Sequence, residues 1–296
     1  MRSLFLLFAL FFFSIHNLFA LDWIKLHNLA NDKNFLELEQ KIDLKTSSLD
    51  EIYLLGLVYL NAHKDDEAEK IFISILEKYP DTIEAKWGIA EVLRRKHKPK
   101  KAEKILENII KENPDFVPAY ITLAYIRYFQ LNFNEAARLA YEVIRKGKNN
   151  SDLENLVRAY SMYAGAKGML AHYGGPLSKA VNGLAVKLNL DKAEKLNPKS
   201  VAVLFGLGSY YLLAPEIAGG DIEKAEYYLK KAIEIDPFFT DVYVRLAQLY
   251  ELKDDNDKYV LYINKAFQLD PENELFLDYK SKKCDFICPK VKKNLQ

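Results

Sequence analysis

The chain has 296 residues, half of them hydrophobic, and its 42 basic and 41 acidic side chains leave a formal net charge of +1. A chain of this length can bury a continuous core, and its charge balance provides no general attraction for nucleic acid. We therefore predict a folded protein that does not have nucleic acid as a partner.

Residues 1–20 have the pattern of a secretory signal peptide. Arg2 precedes an apolar run, residues 4–15. This run is too short to span a bilayer, which takes about 20 apolar residues, and Ala20 offers a small residue for cleavage. The alternative is that the same segment remains as an uncleaved N-terminal anchor. In both cases we predict an extracytoplasmic, periplasmic location, and after cleavage no stable membrane span.

The next segment, residues 21–48, contains two short helical patterns, near Trp23–Leu29 and Phe35–Leu44. Neither pattern has the regular spacing of the sequence that follows. We interpret the segment as a degenerate N-terminal helix pair that caps the repeats.

Residues 49–150 contain a self-similar pattern with a period of 34 residues. Small residues recur twelve positions apart, first Gly56 and Ala68, and Pro80 closes the unit. The same positions return as Ala90, Ala102 and Pro114, and then as Ala124, Ala136 and Lys148, the last standing where a proline is expected. Small residues at this spacing let two antiparallel helices approach closely, so each unit predicts a helical hairpin. Repetition at a fixed period predicts a solenoid of three such hairpins.

Residues 151–198 depart from this period. A helical pattern runs from Asp152 to Tyr173, which is longer than a repeat helix. Two glycines and Pro176 then turn the chain, and proline suits the first turn of a new helix. A second helical pattern of similar length continues to Leu196. We predict an elongated helical hairpin in the middle of the chain.

Residues 199–271 predict two further repeats, the first of which has a lengthened turn. Its small residues, Gly208 and Ala225, stand 17 positions apart instead of twelve, which implies a five-residue insert between the two helices. In the last repeat Tyr259 replaces the second small residue, so we expect a looser contact there.

The insert provides a set of candidate loop residues, namely Pro215, Glu216, Gly219, Gly220 and Asp221. Pro215 ends the preceding helix because it lacks an amide donor, and the two glycines permit positive φ or close backbone approach. Asp221 stands where a helix N-cap belongs. As an alternative, Glu216 and Asp221 would form a carboxylate pair. We predict an ordered loop that forms the lip of a binding surface.

Residues 272–296 predict a closing helix and a basic tail. The tail contains the only two cysteines of the chain, Cys284 and Cys288. In an oxidising compartment an even number of cysteines indicates a disulfide, here one that closes a very small loop. Two free thiols are the alternative.

The sequence contains no recognisable catalytic pattern. The five histidines are scattered without metal-ligand spacing, and no serine–histidine–aspartate arrangement or phosphate-binding loop is present. Gly206 and Gly208 lack the third glycine and the preceding strand of a dinucleotide-binding fingerprint. We predict a protein that is not an enzyme and needs neither a cofactor nor a metal.

The 34-residue units resemble the tetratricopeptide repeat, a helix–turn–helix unit. The resemblance implies an all-α fold, a right-handed helical-hairpin solenoid of tetratricopeptide repeats with one elongated hairpin in the middle. It also implies a concave groove, lined by the first helix of each unit, that binds another protein or peptide. The groove residues carried over from the family are Tyr53, Asn61, Trp87, Arg94, Arg95, Tyr125 and Tyr128. As an alternative, Tyr125 and Phe129 pack against the elongated hairpin and fill the groove.

Residues 174–237, which include "PEIAGGDIEKAEYYLKKAIEIDP", are also similar to the T component of TRAP-type transporter systems. That family consists of extracytoplasmic repeat proteins that accompany a periplasmic solute-binding subunit. The resemblance implies an alternative function, an accessory protein of solute uptake that contacts such a subunit or holds a small apolar ligand. The chain lacks the lipid-attachment cysteine of many members, and its oligomeric state stays open.

Overall fold

In the computed structural model, residues 21–31 and 35–289 are described, so the predicted signal peptide lies outside the described residues. The helices are α1 (Trp23–Ala30), α2 (Phe35–Glu39), α3 (Leu49–Asn61), α4 (Asp65–Lys78), α5 (Ile83–Arg95), α6 (Pro99–Glu112), α7 (Val117–Phe129), α8 (Phe133–Lys146), α9 (Leu153–Tyr173), α10 (Pro176–Leu196), α11 (Val201–Leu213), α12 (Ile222–Ile235), α13 (Thr240–Leu252), α14 (Asn256–Leu269) and α15 (Glu274–Lys280). The described part of the chain contains no strand. The predicted all-α fold of repeated helical hairpins is confirmed.

The 34-residue period is visible in the backbone. The turns of the first three hairpins each contain one non-glycine residue in the left-handed region: His63 at φ 56°, His97 at φ 53° and Leu131 at φ 61°. Each position follows the previous one by one repeat length, so the same tight turn is built three times. His63 and His97 therefore owe their equivalent positions to turn geometry.

The described residues form two compact units, residues 21–92 and 93–289. In the first unit, α1 and α2 pack on α3, and α3 packs on α4. The buried Phe72 ring lies against Gly56 and Gly88, where a Cβ atom on either glycine would come within 3 Å of ring carbons. These two glycines let three helices share one aromatic side chain.

A buried carboxyl group makes the first unit sensitive to pH. Glu84, in the first turn of α5, is 7% exposed, and burial, aided by the charge of Asp50, raises its pKa to about 7. The folded state therefore holds this proton more tightly than the unfolded state. The stabilisation that comes from the raised pKa of Glu84 is complete below about pH 4, and it is lost as the pH rises through about 7.

We expect Glu84→Gln to remove this pH dependence. The unfolding free energy of the variant minus that of the wild type should be about 2 kcal/mol higher at pH 8 than at pH 5. Denaturant titrations at the two pH values measure the difference. Glu77→Gln on the exposed surface of α4 is the matched control. A difference that is the same at both pH values would contradict the prediction.

In the second unit the helices pack in chain order from α6 to α14, and α15 packs on α13. The hairpin of α9 and α10 is elongated, with 21 residues in each helix, and α9 also contacts α7 and α11. The ends of the unit meet, because His97 Nε2 lies 3.0 Å from Asp270 Oδ1. The helices of this unit thus enclose a shared inner surface.

Candidate functional site

The inner surface of the second unit holds a piece of its own chain. Residues 281–289, here called the C-terminal segment, follow α15 and contact Tyr128 and Phe129 of α7, Tyr173 of α9, and Arg245 and Gln248 of α13. These five side chains are called the inner face. α7 and α13 are first helices of repeats, so the inner face lies where the family resemblance predicts the groove.

Arg245 makes the central contact with the backbone of the segment. Its Nη2 donates to the carbonyl of Phe286 at 2.9 Å, and its Nη1 donates to the carbonyl of Ile287 at 2.8 Å and to Gln248 Oε1 at 2.8 Å. Tyr173 Oη donates to the carbonyl of Asp285 at 2.8 Å. Three consecutive carbonyls of the segment are therefore bound by side chains of the inner face.

Phe286 fills an aromatic slot beside these hydrogen bonds. Its ring stacks on Tyr128 at a centroid distance of 5.7 Å and lies 4.9 Å from the ring of Phe129. Phe286 is 5% exposed, and burial raises the pKa of Tyr128 to about 12. The slot encloses one aromatic side chain almost completely.

Buried polar groups surround the slot. Arg245 is 4% exposed, and burial lowers the pKa of its guanidinium group. Asp241, one helical turn away, is equally buried and accepts a hydrogen bond from Asn273 Nδ2 at 2.7 Å. Burial raises the pKa of Asp241 to about 6, although Asn273 and the charge of Arg245 oppose the rise. The cost of burying Arg245 is offset by its hydrogen bonds to the segment, because a buried charge needs partners.

The segment is held from its other side by α15 and by a disulfide. Asp278 accepts hydrogen bonds from the backbone amides of Asp285 at 2.9 Å and Phe286 at 3.0 Å. Cys284 and Cys288 are joined by a disulfide, which is the first of the two alternatives that the sequence left open. Lys282, Cys284 and Ile287 have φ values between 56° and 60°, a region that non-glycine residues rarely adopt.

Three of the predicted groove residues belong to the first unit and are engaged by α1. Tyr53 and Trp87 are buried: Tyr53 Oη is 2.9 Å from His27 Nε2, and the Trp87 ring is centred 5.1 Å from that of His27. Asn61 Nδ2 donates to the carbonyl of Ala30 at 3.2 Å. The prediction that Tyr53 and Trp87 line an open groove is wrong, because α1 covers them, whereas Asn61 stays exposed.

The other four predicted groove residues belong to the second unit. The guanidinium group of Arg94 stacks 4.2 Å from the centre of the Tyr125 ring, which itself contacts Phe129. Arg95 is partly exposed. Tyr128 and Phe129 are covered by the C-terminal segment. Tyr128, predicted as a groove residue, thus contacts Phe286 of this segment, and it also packs against α9 of the elongated hairpin. Phe129 belongs to the same apolar cluster as Met169 of α9, which agrees with the alternative that it packs against the elongated hairpin.

Sequence reasoning missed Phe286 and Arg245. Phe286 lies between the two cysteines of "CDFIC". An aromatic residue inside such a small disulfide loop could have indicated a contact residue. Arg245 is the only basic residue of α13 and stands in the run "VYVRLAQLY", where Gln248 is the only other residue outside the apolar and aromatic types. A basic residue at a buried helix position needs a partner, and this could have indicated the site.

The lengthened connection between α11 and α12 is an ordered loop of residues 214–221. Asp221 Oδ1 accepts from the amides of Glu223 and Lys224, which confirms it as the N-cap and lowers its pKa through the Lys224 amide. Glu216 begins a short 3-10 turn after Pro215, and Tyr210 Oη donates to the carbonyl of Ala218. The N-cap role thus accounts for Asp221 without the alternative of a carboxylate pair with Glu216.

The two glycines of this loop differ in what they require. Gly219 has φ 92°, whereas a Cβ atom on Gly220 would lie 2.0 Å from the carbonyl oxygen of Ala214. We expect Gly220→Ala to displace the loop and lower the unfolding free energy by about 2 kcal/mol, with the helical circular dichroism of the folded chain preserved. Gly175→Ala is the matched control, because a Cβ atom there meets nothing within 4 Å. Loss of helicity in the folded Gly220→Ala chain would refute the prediction.

Residues 21–31 and 35–289 contain no group of histidine, cysteine, aspartate and glutamate side chains that could hold a metal ion. None of the helices in those ranges combines the length and the apolar character needed to cross a membrane.

Comparisons with known proteins agree with the fold. One tetratricopeptide repeat model matches residues 217–239 and 240–273, and another matches residues 52–82. No curated protein matches the chain. The predicted repeat at 117–150 lies outside the matched segments, and its helices α7 and α8 pack as a hairpin.

Two solved structures have a similar fold. A tetratricopeptide repeat protein from Parabacteroides merdae ATCC 43184 has a TM-score of 0.52 and 14% identity over 86% of this chain and 97% of its own. The APC/C hetero-tetramer Cut9-Hcn1 has a TM-score of 0.59 and 13% identity over 84% of this chain and 46% of that chain. The chain is thus a helical-hairpin repeat protein, and the matched segments support the tetratricopeptide repeat family.

Proposed function

We propose that the chain is a non-enzymatic, extracytoplasmic repeat scaffold that binds a peptide segment of another protein on its inner face. One observation carries this proposal: the inner face already holds a peptide segment, the chain's own residues 281–289. Tetratricopeptide repeats are protein-binding units in general, which agrees with this use of the surface.

The contacts to the C-terminal segment indicate what such a partner would need. Arg245 and Tyr173 bind backbone carbonyls, which any peptide offers, whereas the slot of Tyr128 and Phe129 selects an aromatic side chain. Main-chain hydrogen bonds with side-chain pockets are a recurring mode of peptide recognition. A partner would therefore present an aromatic residue and displace Phe286.

The extracytoplasmic location is supported by two features of the chain. The N-terminal apolar run of residues 4–15 has the form of a signal segment, and disulfides such as Cys284–Cys288 persist in oxidising compartments. Alkylation of thiols in freshly lysed cells tests it. We expect both cysteines to be protected until a reductant is added, and reactive thiols would count against the location.

The alternative function is an accessory role in solute uptake, as the similarity of residues 174–237 to the T component of TRAP-type systems implies. The ordered loop of residues 214–221 favours it, because Ile217 is 99% exposed at the loop tip and offers an apolar contact to a second protein. Co-purification with a solute-binding subunit, compared between the wild type and Ile217→Ser, tests this role. Unchanged co-purification of the variant would show that the loop takes no part in this role.

Capture of partners from the cell envelope tests the proposed binding mode. The tagged full-length wild type is compared with Phe286→Ala, which empties the aromatic slot, and with Phe238→Ala, an exposed control. We expect more partner on Phe286→Ala than on the wild type and no change for Phe238→Ala. Adding Arg245→Lys to Phe286→Ala should abolish the gain. Equal capture by all the chains would contradict an inner-face site.

A further inference from the structure

The outer helix of the elongated hairpin carries a row of exposed aliphatic side chains. Leu177, Val181, Leu184 and Leu188 of α10 are 78%, 60%, 72% and 60% exposed. They stand on one face of the helix, since their spacings of four, three and four residues add up to about three helical turns. These exposures correspond to on the order of 500 Å² of surface, the size of the largest apolar patch on a typical monomer.

The spacing of this row is that of a coiled-coil seam, and it is symmetric about its centre. Read backwards, the spacings are again four, three and four. A second copy of α10 related by a two-fold axis would therefore place Leu177 opposite Leu188 and Val181 opposite Leu184. The row is self-complementary in the antiparallel sense, which is what an isologous interface between two copies requires.

The residues beside the row fit the same arrangement. Ala180 and Ala185 flank it on opposite sides, lie at symmetric positions and are small enough to let two helices approach. Lys187 forms an ion pair with Asp191 of its own helix, and Lys179 lies on the side of α10 away from the row. No like charges would face each other across the seam.

We propose that the chain forms a two-fold symmetric dimer through the α10 rows of two copies packed antiparallel. The interface would bury about 1,000 Å² in total, the lower limit for a specific interface, so the dimer is expected to dissociate on dilution. This proposal does not depend on the inner face, because its residues all lie on α10.

Sedimentation velocity of the full chain over a concentration series tests the dimer. We expect the wild type to show a twofold increase in mass at high concentration, and we expect Leu184→Glu to stay monomeric because two carboxylates would meet in an apolar seam. Leu261→Glu is the matched control, since Leu261 is 61% exposed on α14, and it should dimerise like the wild type. A wild type that is monomeric at every concentration, or a dimeric Leu184→Glu, overturns the proposal.

Cross-linking tests the antiparallel register and does not depend on the stability of the charged variant. A Leu177→Cys chain mixed with a Leu188→Cys chain should form a disulfide-linked dimer, since the native cysteines are already bonded to each other. Either chain alone should not, because like positions would lie about 16 Å apart along the helices. Equal cross-linking of each chain alone would indicate a parallel contact and overturn the register.

Discussion

Arg245→Ala is expected to release the C-terminal segment and to lower the unfolding free energy by about 3 kcal/mol. The guanidinium group binds the carbonyls of Phe286 and Ile287 and the side chain of Gln248, all of them at buried or partly buried positions. Its removal leaves these groups without their donor and removes a positive charge that lowers the pKa of buried Asp241. Unpaired buried polar groups are among the most costly defects in a folded protein.

Denaturant unfolding and amide exchange together test this expectation. Arg245→Lys is the matched control, because lysine keeps the charge but cannot reach two carbonyls and Gln248 in one planar arrangement. We expect the lysine variant to lose less stability than the alanine variant and still to release Phe286 from the slot. An alanine variant within about 0.5 kcal/mol of the wild type would show that Arg245 contributes little.

Reduction of the Cys284–Cys288 disulfide is expected to open the C-terminal segment about 30-fold more often, without unfolding the repeats. A bond that closes a loop of five residues restricts the unfolded segment by about 2 kcal/mol in the loop-entropy model, which corresponds to this factor. Three residues of the segment also have left-handed φ values that are unfavourable for L-amino acids. Without the bond, these residues relax more easily and Phe286 leaves its slot.

Amide hydrogen exchange before and after treatment with a dithiol reagent measures this opening. The amides of Asp285 and Phe286, which donate to Asp278, should exchange about 30-fold faster, and those in the middle of α13 should not change. The double variant Cys284→Ser, Cys288→Ser should match the reduced wild type without any reagent. Unchanged protection of Phe286 would mean that Arg245 and Asp278 hold the segment by themselves.

The parts of the fold that depend on local spacing could be predicted from the sequence. Small pairs such as Gly56 and Ala68 fix the approach of two helices within one hairpin, and the 34-residue period repeats this contact. The N-cap role of Asp221 is likewise local, because the amides that it accepts from lie within three residues. These features require no knowledge of where distant segments lie.

The occupants of the groove could not be predicted in the same way. Trp87 and Tyr128 stand at groove positions in their repeats, but His27 covers the first and Phe286 covers the second. Both occupants come from segments outside the regular repeats, and no periodicity relates them to their contacts. A family pattern assigns the face of a helix and leaves open whether another part of the same chain covers it.

We propose that the inner face of residues 93–289 is a peptide-binding surface occupied by the C-terminal segment. The most direct test adds a fluorescent peptide of residues 281–289, in its disulfide-bonded form, to the full-length Phe286→Ala chain and follows fluorescence anisotropy. We predict saturable binding that is competed by the unlabelled peptide and lost when Arg245→Lys is added. Absence of binding to a folded Phe286→Ala chain, or binding that is indifferent to Arg245, would contradict the claim.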